Sequence, residues 1–136
     1  MTRQAIIIDC DPGVDDAVAL FLAFASPEDL EILAVTTAAG NVDATLTARN
    51  ARLVRQLAGR EDVPVYAGAA VPLVREPIAA AHFHGESGLG TLPVFEPAAP
   101  VAPGHAATAI VDLVMSRPAG SVSMAVTGPM TNLALA

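Results

Sequence analysis

Apolar positions along this 136-residue chain fall into two alternating textures. Short β-branched runs end in polar clusters, and most are followed by a longer stretch with apolar residues spaced for one helix face. Residues 5–9, AIIID, form a continuous apolar run that predicts a buried strand. Pro12 and Gly13 break it. DDAVALFLAFAS then predicts a helix that ends near Pro27, with Asp15 and Asp16 suited to the positive end of its dipole. Residues 31–37, EILAVTT, predict a second strand. AAGNV follows as a loop, and Asp43 is placed to cap a helix whose stripe is Leu46, Leu53, Val54 and Leu57. Gly59 ends that helix, and residues 63–66 predict a short third strand. HAATAIVDLVMS predicts a helix with His105 at its start. SVSMAVT, residues 121–127, predicts a fourth strand, and TNLALA the opening of another helix.

Strands that alternate with helices imply parallel βαβ units with right-handed crossovers. The fold class expected is α/β: an open, mostly parallel sheet with flanking helices, strand one lying between strands two and four. In such sheets ligands sit beyond the carboxyl ends of the strands. Three polar clusters fall there: DCDPGVDD, TTAAGN and TGPMTN. Residues 67–104 differ in texture. They hold six of the eleven prolines and the glycine-rich HGESGLG. A loop of this length in a compact chain is usually functional or mobile, and residues 82–91 are expected to act as a lid.

Composition narrows the options. The chain is 53% hydrophobic, which excludes a disordered segment. Its longest apolar stretch, residues 17–25, is about half of what spans a bilayer. The net charge is −7 and every basic side chain is arginine, so neither nucleic acid nor an anionic membrane is an expected partner. Cys10 is the single cysteine, which excludes an internal disulfide or a multi-cysteine zinc site. A cytoplasmic location is expected from these features.

The charge is concentrated where the chemistry is expected. Asp9, Asp11, Asp15 and Asp16 lie within eight residues, with no lysine or arginine between Gln4 and Ala48. One aspartate before a helix is an ordinary cap. Four at a strand end repel one another and raise each other's pKa, a conflict that a hard cation relieves. The spacing lacks the twelve-residue pattern of an EF-hand. Cys10, by alternation, points away from Asp9 and Asp11 into the core.

Two enzyme families end their first strand in such a cluster. The D-x-D resembles that of haloacid-dehalogenase phosphatases, which would make Asp9 a nucleophile, Asp11 an acid/base and Mg²⁺ the cofactor. Pro12-Gly13 departs from that family's pattern, and the chain has no lysine to meet a phosphoryl group. DCDPGVDD, TTAAGN, HGESGLG and TGPMTNLA, in this order, resemble the inosine–uridine nucleoside hydrolases along essentially the whole chain. That resemblance implies calcium-dependent hydrolysis of the N-glycosidic bond of ribonucleosides. It implies that Asp11 is general base and metal ligand, that Asp16 binds Ca²⁺ through both oxygens, and that Thr127 offers its backbone carbonyl to the same ion. Asp15 and Asn41 would bind ribose hydroxyls, and His84 would assist the leaving base.

The remaining polar residues read as structural. Asp9 supports the first turn, and Asn132 caps or braces the last helix. Arg49, Arg52 and Arg55 form a solvated helix face, and Arg75 sits on the long loop. Family members are more than twice this length, so residues 1–136 are expected to be the N-terminal part of one α/β domain. The whole protein is expected to be a homo-dimer or homo-tetramer. An inactive truncated homologue that serves as a binding module is the alternative outside enzymology.

Overall fold

A computed structural model describes residues 3–78 and 81–136; positions 79–80 of the long loop lie outside the described residues. Four parallel strands, β1 (Gln4–Cys10), β2 (Leu30–Thr37), β3 (Val65–Ala67) and β4 (Val122–Val126), line up in the order β3-β2-β1-β4. The first strand thus lies between the second and fourth, as the alternation of elements predicts. Its neighbours are in register at the carboxyl end: Asp9 pairs with Thr36 on one side and Val126 on the other. Polar residues at the ends of three strands therefore meet at one edge. Leu33 is an extra residue in β2, since Ile6 pairs with Ile32 and Ile7 with Ala34.

Helices α1 (Val14–Phe24) and α2 (Ala44–Leu57) cover one face. Ile8, Cys10, Val35 and Val65 of the sheet pack there with Ala17, Leu20 and Phe24 of α1 and with Ala51 and Val54 of α2. Cys10 lies in this core, as alternation predicts. Full burial of a side chain such as Leu20 or Val35 contributes about 1.5–3 kcal/mol. The opposite face carries Ile7 and Ala34, and α4 (Ala106–Met115) packs there on β2 and β3. A right-handed crossover from β3 back past β1 to β4 requires that side. Asp43 caps α2, its Oδ1 accepting from the Leu46 N–H at 3.0 Å, and His105 caps α4 through Nδ1 and the Ala107 N–H at 3.1 Å. No helix among the described residues is long and apolar enough to cross a membrane.

Three departures from the sequence reading have physical causes. β3 starts at Val65, two residues later than predicted, because Pro64 has no N–H to give a ladder; its carbonyl still accepts from the Val35 N–H. A single turn of helix, α3 (Ala81–His84), stands inside the long loop, too short to leave a periodic signal. The three arginines of α2 are not a solvated face. Arg52 donates to the carbonyls of Ala99 and Pro97 and pairs with Glu96 at 2.7 Å. Arg55, only 3% exposed, donates to the carbonyls of Val63 and Ala99. Arg49 donates to the Ser87 carbonyl. A proline-rich loop is short of N–H donors for its own carbonyls, and guanidinium forks supply them.

Arg55→Leu leaves the Val63 carbonyl without a donor, whereas Ala99 keeps Arg52, so the free energy of unfolding should fall by about 1–3 kcal/mol. Urea denaturation measures this. A solvated arginine would change it by less than about 0.5 kcal/mol.

Candidate active site

The acidic residues in β1 and in the turn after it enter two separate environments. Asp9 is fully buried. Its Oδ1 accepts from the Thr36 hydroxyl and from Asn132 Nδ2, while Oδ2 has no partner. Burial pushes its carboxyl above the usual carboxylate range, although the Thr36 and Asn132 hydrogen bonds oppose the shift. Asn132, also fully buried, donates to the Thr37 carbonyl at 3.0 Å and accepts from the Ala69 N–H at 2.9 Å. It lies in the short helix α5 (Thr131–Leu135), whose cap is Met130. Asn132 thus braces the ends of β1 and β2 and the loop after β3; it does not cap its own helix.

Asp11 and Asp16 face one another across the Pro12-Gly13 turn. Asp11 is 6% and Asp16 4% exposed. The Asp11 N–H donates to Asp16 Oδ2 at 3.2 Å, and the Thr127 hydroxyl donates to Asp16 Oδ1 at 2.7 Å. Asn41 holds Asp11 twice: its N–H donates to Asp11 Oδ2 at 2.7 Å and its Nδ2 to the Asp11 carbonyl at 2.9 Å. Burial raises the Asp11 pKa to about 6, with the Asp16 carboxylate adding to the rise and the Asn41 N–H opposing it. A carboxyl raised in the folded state contributes stability that is complete below its unfolded value, near 3.8, and is lost as pH rises through about 6. A cation between the two carboxylates would reverse that loss.

Glycines make this closeness possible by their lack of a side chain. A Cβ at Gly40 would collide with Asp11 Oδ2, and one at Gly128 would lie 2.6 Å from Asp11 Oδ1. The φ of Gly13 is −96°, ordinary for any residue. Its reason is space, since a Cβ there would lie 2.6 Å from His84 Nδ1 and 2.8 Å from Asn41 Nδ2.

His84 stands on the far side of Gly13. Its Nδ1 accepts from the Val14 N–H at 3.2 Å, one of the free donors of the first turn of α1, and lies 4.0 Å from Asp15 Oδ1. An accepting Nδ1 leaves the proton of the neutral ring on Nε2. Asp15 is largely exposed beside it. All six predicted site residues, Asp11, Asp15, Asp16, Asn41, His84 and Thr127, therefore gather around one turn. Thr127 enters through its hydroxyl, whereas the sequence reading relied on its carbonyl. The lid expected at residues 82–91 is tied down at its centre: Leu89 is 2% exposed in the core, and the Ser87 carbonyl accepts from Arg49 and Asn50. A groove of about 620 Å³ lies behind Gly40 and Pro129 along residues 70–78, and none of the six lines it.

The donor set is all oxygen, which fits a hard cation such as Ca²⁺ or Mg²⁺. It is incomplete for one. Among the described residues, no three His, Cys, Asp or Glu side chains come together in a way that could hold a metal ion. Two carboxylates and the oxygens of Thr127 would supply part of the roughly six to eight that Ca²⁺ takes.

A parallel sheet with buried carboxylates at its carboxyl edge defines an α/β protein with a polar site at the strand-order switch point. Solved structures of the same architecture are nucleoside hydrolases. A plant nucleoside hydrolase superposes with a TM-score of 0.90 at 36% identity, covering 98% of this chain and 42% of that one. An inosine-guanosine nucleoside hydrolase gives 0.86 at 32% identity, with the same coverage. The family model for inosine-uridine preferring nucleoside hydrolases matches residues 6–136, and the chain belongs to that family. This decides against the phosphatase resemblance. The inosine-uridine preferring nucleoside hydrolase of Crithidia fasciculata is 48% identical over 136 residues, 98% of this chain. A pyrimidine-specific ribonucleoside hydrolase of Photobacterium profundum is 49% identical over 132 residues, 97% of this chain. The chain spans 42% of the length of each of these two relatives.

Gly40→Ala should destabilise the fold by about 1–3 kcal/mol, the range for forced overpacking, because the new methyl meets the Asp11 carboxylate. Urea unfolding checks this. Unchanged stability would mean that the carboxylate has room to swing away.

Proposed function

We propose that this chain carries the catalytic edge of a ribonucleoside hydrolase, which uses water to release a free base and ribose. The observation that carries the reading is the buried Asp11–Asp16 pair, with His84 and the exposed Asp15 across Gly13 from it. Cleavage of an N-ribosidic bond builds positive charge on the sugar, as glycoside hydrolysis does. It needs a base for water, a grip on the ribose and help for the leaving group.

Asp11 suits the first task. Burial makes its carboxylate a stronger proton acceptor than an ordinary aspartate, and a bound cation works against that gain. The Asn41 N–H on Oδ2 fixes the carboxylate, and Oδ1, beside Gly128, accepts no hydrogen bond among the described residues. Asp15 and Asn41 are the proposed ribose contacts. Asp15 is the one carboxylate of the turn that reaches solvent freely, and Asn41 keeps its Oδ1 as an acceptor for a hydroxyl. His84, with its proton on Nε2, is the proposed hydrogen-bond donor to the departing base. Asp11, Asp16 and Thr127, together with further oxygens, would hold a hard cation, proposed to be Ca²⁺. When bound, it supplies Lewis-acid character that makes water more acidic. Relatives of nearly equal identity carry different substrate names, inosine-uridine preferring and pyrimidine-specific, so identity in this stretch does not assign the base.

Two outcomes test the reading in the full-length polypeptide. Asp11→Asn keeps an oxygen for the cation but cannot accept the proton, so kcat on inosine and uridine with Ca²⁺ saturating should fall by about 10²–10⁴. Near-normal kcat on both would remove Asp11 from the role of base. Independently of activity, Ca²⁺ at a hundred times its Kd should stabilise the fold by about 2.7 kcal/mol. The midpoint of thermal unfolding reads this, and Asp16→Ala should abolish the rise. A rise that survives Asp16→Ala would locate the cation elsewhere.

A further inference from the structure

We propose that Asn50 is the positioning residue that holds the His84 loop against the aspartate turn; the inference rests on the hydrolase reading above and assigns that site a further part. Asn50 lies on α2, fully buried, and touches none of the six site residues through its recorded hydrogen bonds. Its Nδ2 donates at 3.0 Å to the Pro12 carbonyl and at 2.8 Å to the Ser87 carbonyl. Pro12 immediately follows Asp11, and Ser87 lies three residues after His84. The two hydrogens of one amide thus join the two segments that must face each other across the substrate.

The orientation of that amide is set from behind. Arg49 places Nε at 3.3 Å and Nη2 at 3.0 Å from Asn50 Oδ1, which turns the amino group toward the two carbonyls. Arg49 Nη2 also donates to the Ser87 carbonyl at 3.1 Å. Gly88 lets the loop come this close: its φ is +84°, and a Cβ there would lie 2.8 Å from Asn50 Nδ2. Neither carbonyl has another use in the local backbone. Pro12 precedes the cap of α1, so its oxygen lies outside the helix ladder, and the turn at 85–88 is closed through the Gly85 oxygen instead. The chain from Ser87 back to His84 is short, and the Gly90 N–H donates to the His84 carbonyl at 2.7 Å. A shift at Ser87 is therefore passed to the imidazole.

The position of the imidazole matters only when the leaving base needs a hydrogen bond from Nε2. Misplacement of a reacting group by about 1 Å costs on the order of 10²-fold in rate. Asn50→Leu keeps the volume and removes both donors. In the full-length polypeptide its kcat should fall about 10²-fold on inosine and less than about tenfold on an activated nitrophenyl riboside, whose leaving group needs no proton. The loss on inosine should vanish in a His84→Ala background, because both changes remove the same contribution. The Val14 amide, which donates to His84 Nδ1, should exchange its hydrogen faster in Asn50→Leu. Arg49→Met, at the half-buried edge of the same node, should give the same pattern more weakly and keeps the test open if Asn50→Leu does not fold. Equal losses on both substrates, or losses that multiply with His84→Ala, would overturn the positioning role while leaving the hydrolase reading intact. Wild-type protein that releases base from neither substrate would overturn the hydrolase reading and this inference with it.

Discussion

Three carboxylates are buried within eight residues, and among the described residues none has a lysine or arginine partner. Most of the site follows from that constraint. Buried charge has to be matched by hydrogen bonds, by a shifted pKa or by a cation. Asp9 takes the first two routes, through Thr36, Asn132 and a raised pKa. Asp16 takes the hydroxyl of Thr127 and the N–H of Asp11. Asp11 is left with a single N–H on its carboxylate and a pKa near 6. It is the carboxylate with the most to gain from a metal, and also the best placed to take a proton.

The neighbours are arranged around that residual demand. Asn41 comes from the end of β2, Thr127 from the end of β4, and the glycines at 13, 40 and 128 give up side chains so that the walls can close. The fold serves this purpose directly. Parallel strands in the order β3-β2-β1-β4 bring three loops to one edge, and β1 at the switch point carries the acids.

Much of this was legible in the sequence, for reasons that particular residues make plain. Asp11, Asp15 and Asp16 stand together in the chain, and TTAAGN and TGPMTN each follow an apolar strand, so topology alone gathers them. Asn132 is legible as structural, but as a cap or brace of its own helix; its partners, Asp9 and Thr37, lie on strands far away in the chain. Asn50 was not legible. Its partners are backbone carbonyls 37 and 38 residues distant, which leave no mark on side-chain identity. The α2 arginines were misread for the same reason: the carbonyls they serve belong to a proline-rich loop whose course no periodicity reveals. Gly13 is legible as a strand breaker, but the need for its missing side chain is not, because the His84 ring that takes the space arrives from 71 residues downstream.

The proposed hydrolysis of ribonucleosides requires a hard cation on the acidic edge of this sheet. The most direct measurement follows free base and reducing sugar released from inosine and uridine by the full-length polypeptide, first after chelation and then with Ca²⁺ restored. Base and ribose should appear in equal amounts, with little turnover after chelation and recovery with Ca²⁺. Base release without reducing sugar, or turnover that chelation leaves untouched, would contradict that proposal.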